Sequence, residues 1–245
     1  MSIPDLPTPV EITGKTRAGL DYKIAGSVQQ TLLVDLPAGR TVFSDAGGMS
    51  WMSASVQMNT QGQGGLGGML KRAVSGATVF IVDFTAHGAP GHVAFSTDFP
   101  GKVLAFELAG GSGIIMHKHA FICAEKTVHL DIAFTRRLGA GLFGGEGFVL
   151  QKLSGTGAVF AELDGDALEY HLKAGEVMRV EPGHIAMFDE TVTFGIEMVQ
   201  GFTNILMGGE GLFLGTLTGP GRIWLHSLTP SKVAHRIAHY LPSRG

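Results

Sequence analysis

Within residues 110–125, GGSGIIMHKHAFICAE, two histidines stand two apart, and Glu125 follows six residues after the second. On an extended strand, side chains two apart face the same side, so His117 and His119 could direct both imidazoles at one ion. With Glu125 as third ligand, such a set suits Fe, Mn, Zn or Ni, and the chemistry would be metal-dependent catalysis. Further on, Gly175 and Pro182-Gly183-His184 offer another turn with a histidine. Paired carboxylates are a further possibility, because Glu146 and Glu210 recur in the matching segments GGEG. An acid inside a glycine-rich turn more often accepts backbone N–H groups and fixes the turn.

The metal reading has a pattern, Gly111, five residues, then His-x-His, that is similar to the opening of a metal-binding cupin. Two details depart from it. Five residues separate His119 from Glu125, where cupins use three or four, and His184 follows its Pro-Gly too closely. Other motifs are weaker. Gly62, Gly64 and Gly67 satisfy GxGxxG, as do Gly139, Gly141 and Gly144, but 37 glycines in 245 residues make such matches easy. The βαβ alternation that gives the motif its meaning is missing. Cys123 is the single cysteine, which excludes an internal disulfide and any cysteine-rich zinc site; its apolar setting, AFICA, suggests a buried inert thiol.

The elements that must position these residues are strands. Period-two segments occupy 31–36, 79–84, 92–95, 103–108, 128–134, 159–163, 168–172, 192–198 and 223–225, separated by turns such as PAG, FPG, DGD, KAG and GPG. The clearest helical signal is the tail, TPSKVAHRIAHYLP. Thr229 can cap that helix, Pro230 suits its first turn, Val233, Ile237 and Tyr240 share a face, and Pro242 ends it. A second short helix is expected at 69–74.

An internal repeat organises the strands. Residues 144–160, GGEGFVLQKLSGTGAVF, return as 208–224, GGEGLFLGTLTGPGRIW. The shared signature comprises Gly144, Gly145, Gly147 and Gly155 in one copy, and Gly208, Gly209, Gly211 and Gly219 in the other. A fainter copy holds Gly65, Gly68 and Gly76. A turn followed by a strand also recurs, anchored on Gly39, Gly101 and Gly175. Three related β units, about 12–85, 86–160 and 161–228, cannot each bury a face alone, so they are expected to pack around a pseudo-threefold axis. One β domain over 10–228 is expected, with a loose arm at 1–9 and a helical tail at 229–245.

Bulk properties agree. Glycine is about twice its usual ~7%, and charged residues are 16% against a usual ~25%. With 44% hydrophobic residues the chain is no disordered segment. A net charge of −3 supplies no field for phosphate backbones and argues against nucleic acid as partner. No leader pattern or apolar run of ~18 residues is evident, so a soluble cytoplasmic protein is expected, with peripheral membrane association left open. Mean hydropathy of +0.24 suggests apolar interfaces, either in a homo-oligomer or with protein partners.

AGGMSWM (46–52), GQGGLGGMLKRAVSG (62–76), DFPGKVLAFEL (98–108), HAFICAEKTV (119–128), GGEGFVLQKLSGTGAVF and PGHIAMFDETV (182–192) together resemble the Altered Inheritance of Mitochondria 24 family. The resemblance implies an all-β fold related to the double-stranded β-helix and to the tryptophan RNA-binding attenuator protein. It also implies a scaffold associated with mitochondrial inner-membrane organisation, and no catalytic residues. The expected function is thus a non-enzymatic scaffold or interaction protein without a cofactor. A cupin-like metalloenzyme using His117 and His119 is the alternative, and RNA binding by fold analogy is the second.

Overall fold

The computed structural model describes residues 10–60, 81–136, 147–198, 213–238 and 240. Nineteen strands dominate them. In chain order these are β1 Glu11–Lys15, β2 Asp21–Ala25, β3 Thr31–Leu36, β4 Thr41–Asp45, β5 Trp51–Met52, β6 Val56–Asn59, β7 Ile81–Ala86, β8 Gly91–Ser96, β9 Gly101–Ala109 and β10 Ile114–His117. They continue with β11 Phe121–Glu125, β12 Val128–Arg136, β13 Phe148–Asp164, β14 Ala167–Leu172, β15 Val177–Val180, β16 Ile185–Asp189, β17 Thr193–Met198, β18 Phe213–Thr218 and β19 Gly221–His226. One helix follows, α1, Pro230–Ala238. Its start is as expected: the Lys232 N–H donates to Thr229 Oγ1 at 3.3 Å, and Pro230 needs no partner in the first turn.

A five-stranded sheet runs β1-β2-β3-β8-β5, and a three-stranded one runs β15-β18-β17. The largest follows β14-β19-β16-β10-β13-β11-β4-β7-β6, with β9 and β12 also on β13. The 17-residue β13 is the hub. Its first half bonds β10 and β12, and its second half bonds β9 and β11. The chain passes from one partner set to the other at Gly155, whose φ of +96° is open to glycine. A Cβ there would lie 2.6 Å from the Thr127 carbonyl oxygen.

The pairings themselves repeat. Advancing both partners by 64 turns Leu130↔Leu153 into Phe194↔Leu217, Ile115↔Lys152 into Arg179↔Thr216, and Val103↔Glu162 into Ala167↔His226. Phe121↔Ala161 likewise becomes Ile185↔Leu225, and a register shift follows both, before Cys123 and before Met187. Even the 3₁₀ turns Lys118–Ala120 and Pro182–His184 keep this spacing. The first third joins the series through β3 to β8. The turns before β4, β10 and β15 hold Gly39, Gly111 and Gly175 at φ of +83°, +78° and +77°. The partner of Gly39 and Gly175 is therefore Gly111. Gly101, the expected anchor, starts β9 instead, where it stands against Asp164.

Burial follows the joints between these sets. One apolar cluster packs Leu32, Phe84 and Phe95 on Cys123 and Phe160. A second places Phe43, Met116, Leu153 and Met187 together, and a third gathers Phe148, Leu150, Phe188 and Leu217.

Candidate functional site

His117 ends β10, and His119 lies in the 3₁₀ turn Lys118–Ala120, so the expected strand geometry for the pair does not hold. The topology requires the turn: β10 bonds the first half of β13 and β16, whereas β11 must reach the second half and β4. The two rings still lie 5.2 Å apart, and His117 packs 5.1 Å from Phe148. Burial holds His117 well below the usual imidazole range, helped by His119, His226 and Lys118. His119 is lowered by burial and Lys118, against the pull of Asp98.

Glu125 is engaged on another side. Its Oε1 accepts from Thr16 Oγ1 at 3.2 Å and Arg40 at 3.3 Å, and its Oε2 accepts the Ala158 N–H at 2.9 Å. His184 Nδ1 donates to the His226 carbonyl at 2.7 Å, and its Nε2 accepts from Lys232 Nζ at 2.6 Å, which pins α1 to the body. Among the described residues no group of three His, Cys, Asp or Glu side chains is arranged to hold a metal ion.

Around the histidines the fold assembles acids that lie far apart in sequence. Glu162 is raised to about 8 by burial and by Asp164 and Asp98, and Asp164 to about 6 by burial and Asp98. Asp45 is raised to about 7 by burial, opposed by Lys118. His226 is lowered to about 4, chiefly by burial. Burial thus favours neutral forms throughout. Glu162 accepts the Asp98 N–H at 3.2 Å; His226 Nδ1 accepts the Asp164 N–H at 3.2 Å, and its Nε2 donates to the Gly183 carbonyl at 2.7 Å. Three strands place a polar residue at one equivalent position, Ser96, Glu162 and His226, opposite Thr31, Val103 and Ala167.

A cleft of about 480 Å³ is lined by β9, β14, β16 and β19 and by Arg17 from the β1–β2 turn. That volume suits a small molecule. Its polar groups are largely paired with each other. Asp189 takes Arg222 bidentately at 2.9 and 3.0 Å, Arg222 stacks 4.8 Å over Trp224, and Trp224 Nε1 donates to Glu169 at 2.7 Å. Glu107 Oε1 accepts the Arg17 N–H at 2.8 Å, leaving a buried Oε2 without a hydrogen bond.

Of the glycine signature, Gly147, Gly155 and Gly219 are described; Gly65, Gly68, Gly76, Gly144, Gly145, Gly208, Gly209 and Gly211 lie outside the described residues, as do Glu146, Glu210, both GxGxxG strings and the expected helix at 69–74. Asp83 is ion-paired with Lys126, and Cys123 is buried with its thiol pushed well up. No described helix is long and apolar enough to cross a membrane.

Comparison with curated proteins returned no match. Among solved structures, the crystal structure of protein SPYM3_0169 from Streptococcus pyogenes is similar, with a TM-score of 0.73 and 23% identity over 93% of this chain and 100% of that one. This likeness establishes the fold. The family model described as mitochondrial biogenesis AIM24 matches residues 22–228, most of the chain, and the protein therefore belongs to the mitochondrial biogenesis AIM24 family.

Proposed function

We propose that this protein is a non-enzymatic β scaffold, built from three related units that follow one another in series, in the manner of the attenuator protein. The recurrence of strand pairings carries the reading. It supports unit limits of 31–96, 103–162 and 167–226, because β3 to β8, β9 to β13 and β14 to β19 meet in the same registers. A chain whose polar clusters hold its own turns and strand ends devotes them to shape. Glu125 joins the β1–β2 turn to the second unit, and Asp189–Arg222 braces β16 on β19. The metalloenzyme alternative has less support, since Glu125 is consumed by Thr16, Arg40 and Ala158.

Native mass spectrometry of the protein gently isolated from its own cells tests this reading. We expect the chain in a stoichiometric assembly and without bound transition metal. Isolation as a lone chain carrying one metal ion per 25.8 kDa would overturn it in favour of the metalloenzyme.

A further inference from the structure

Two joints bind the sets of strands together, and each is an antiparallel pairing of three residues. β4 meets β11 through Val42↔Glu125, Phe43↔Ala124 and Ser44↔Cys123, and β10 meets β16 through Ile114↔Asp189, Ile115↔Phe188 and Met116↔Met187. The strands equivalent to β4 and β10 in the last set, and to β11 and β16 in the first, are β15 and β5. Trp51 faces Ala94 as Cys123 faces Phe160 and Met187 faces Trp224. Continuing the series pairs Ser53 with Met178, Met52 with Arg179 and Trp51 with Val180. Among the described residues neither strand has that partner: β5 bonds only β8, and β15 bonds only β18.

We infer that β5 and β15 are the two halves of a third joint, which a second copy of this chain closes by seating its β15 edge on the first copy's β5 edge.

The side chains left uncovered support this. Trp51 is 48% exposed, whereas Cys123 and Met187 in the same place are 0% and 1% exposed. Met58 on β6 is 47% exposed, and its counterpart Leu130 in the middle set is 3% exposed. Val177 at the start of β15 is also open to solvent. Apolar positions that the middle set buries, Cys123 and Leu130, are thus bare at the β5–β6 end of the series, and Val177 is bare at the other end, as expected of repeats awaiting a neighbour. The β5 edge is also undefended. Residues 47–53, GGMSWMS, hold no charge and no proline, the usual devices against edge pairing. On β15 the one charge, Arg179, is already turned to Glu197 at 3.5 Å. A second copy fits because it presents the missing half in the register this chain uses twice. The contact is heterologous, so it propagates into a ring or a filament.

This inference deepens the scaffold reading, and the test separates the two. Full-length protein is sized by light scattering at up to ~100 µM, a concentration at which standard interfaces are saturated. We expect a multiple of 25.8 kDa for the natural sequence. Trp51→Glu and Val177→Glu, both at exposed positions, should each give a monomer with an unchanged melting temperature. Mixing them should restore a dimer and nothing larger, because one variant keeps β15 intact and the other keeps β5. A natural chain that stays monomeric overturns the inference, as do variants that assemble normally or a mixture that does not pair. If a monomer is found while native isolation still yields a partner complex, the joint fails and the scaffold reading stands.

Discussion

Glu162 provides a test of whether the buried acids are structural. Its carboxyl is raised from 4.5 to about 8 in the folded chain by burial and by Asp164 and Asp98, so near neutral pH the folded protein keeps it largely protonated while the unfolded chain ionises it. A group whose folded value is raised contributes stability that is complete below its unfolded value and is lost as pH rises through the folded one. Each pH unit inside that window is worth about 1.4 kcal/mol at most. From pH 5.5 to 8 the limit is ~3 kcal/mol, and local relaxation reduces it to ~1–3 kcal/mol. In a domain of this size that corresponds to a fall in Tm of ~3–10 °C.

Glu162→Gln is the matching perturbation, since an amide oxygen can still accept the Asp98 N–H and carries no charge. Asp45 and Asp164, raised to about 7 and about 6, slope the same way in both proteins. His226 slopes oppositely: lowered from 6.5 to about 4, its contribution is lost as pH falls through that window, again in both. The difference between the two slopes therefore isolates Glu162. Urea melts at pH 5.5 and 8 should show the natural protein losing ~1–3 kcal/mol more than the variant. Parallel slopes would refute the reasoning and mean that water or a cation reaches the carboxylate.

Three further outcomes follow from the same geometry. Gly155→Ala should cost ~3 kcal/mol or more in urea unfolding, because φ of +96° and the Thr127 carbonyl both oppose a Cβ, whereas Gly175→Ala, at φ of +77° with open space, should cost only ~1 kcal/mol. Asp189→Asn removes the bidentate partner of Arg222; since Arg222 is half exposed, a loss of ~1 kcal/mol in the same assay is expected. Cys123 should react with a thiol-specific disulfide reagent only as fast as the protein unfolds, and rapid labelling of the native chain would contradict its burial.

Much of the fold was legible from local chemistry. The alternation of TLLVDL predicts β3 to the residue, and Thr229-Pro230 predicts the start of α1, since both depend on neighbours in sequence. Errors arose where distant pairing decides. The period-two segment there covers only 159–163, yet β13 runs from Phe148 to Asp164 because four other strands bond along its length. Gly101 after a proline resembles the turn at Gly39 more than Gly111 does, but the left-handed φ belongs to Gly111. His117 and His119 fail as a strand pair for a topological reason invisible in a dozen residues. Asp98, Glu162, Asp164 and His226 could not be grouped in advance, because no local period links residues roughly 60 apart.

That polar group yields to the repeat once the registers are compared. Ser96, Glu162 and His226 occupy one place, opposite Thr31, Val103 and Ala167, the first residues of equivalent stretches. From it, Glu162 accepts the N–H of Asp98, two residues beyond Ser96, and His226 accepts the N–H of Asp164, two residues beyond Glu162. A carboxyl and an imidazole therefore perform the same task, each receiving a backbone donor where one set of strands hands over to the next. The task dictates their chemistry. An imidazole that accepts at Nδ1 and donates at Nε2 to Gly183 must be neutral, in keeping with the fall of His226 to about 4. What looks like an acid–histidine constellation is two copies of one hydrogen bond. Glu162→His should consequently be tolerated better than Glu162→Leu, which leaves the Asp98 N–H without its acceptor and should cost ~1–3 kcal/mol in urea unfolding.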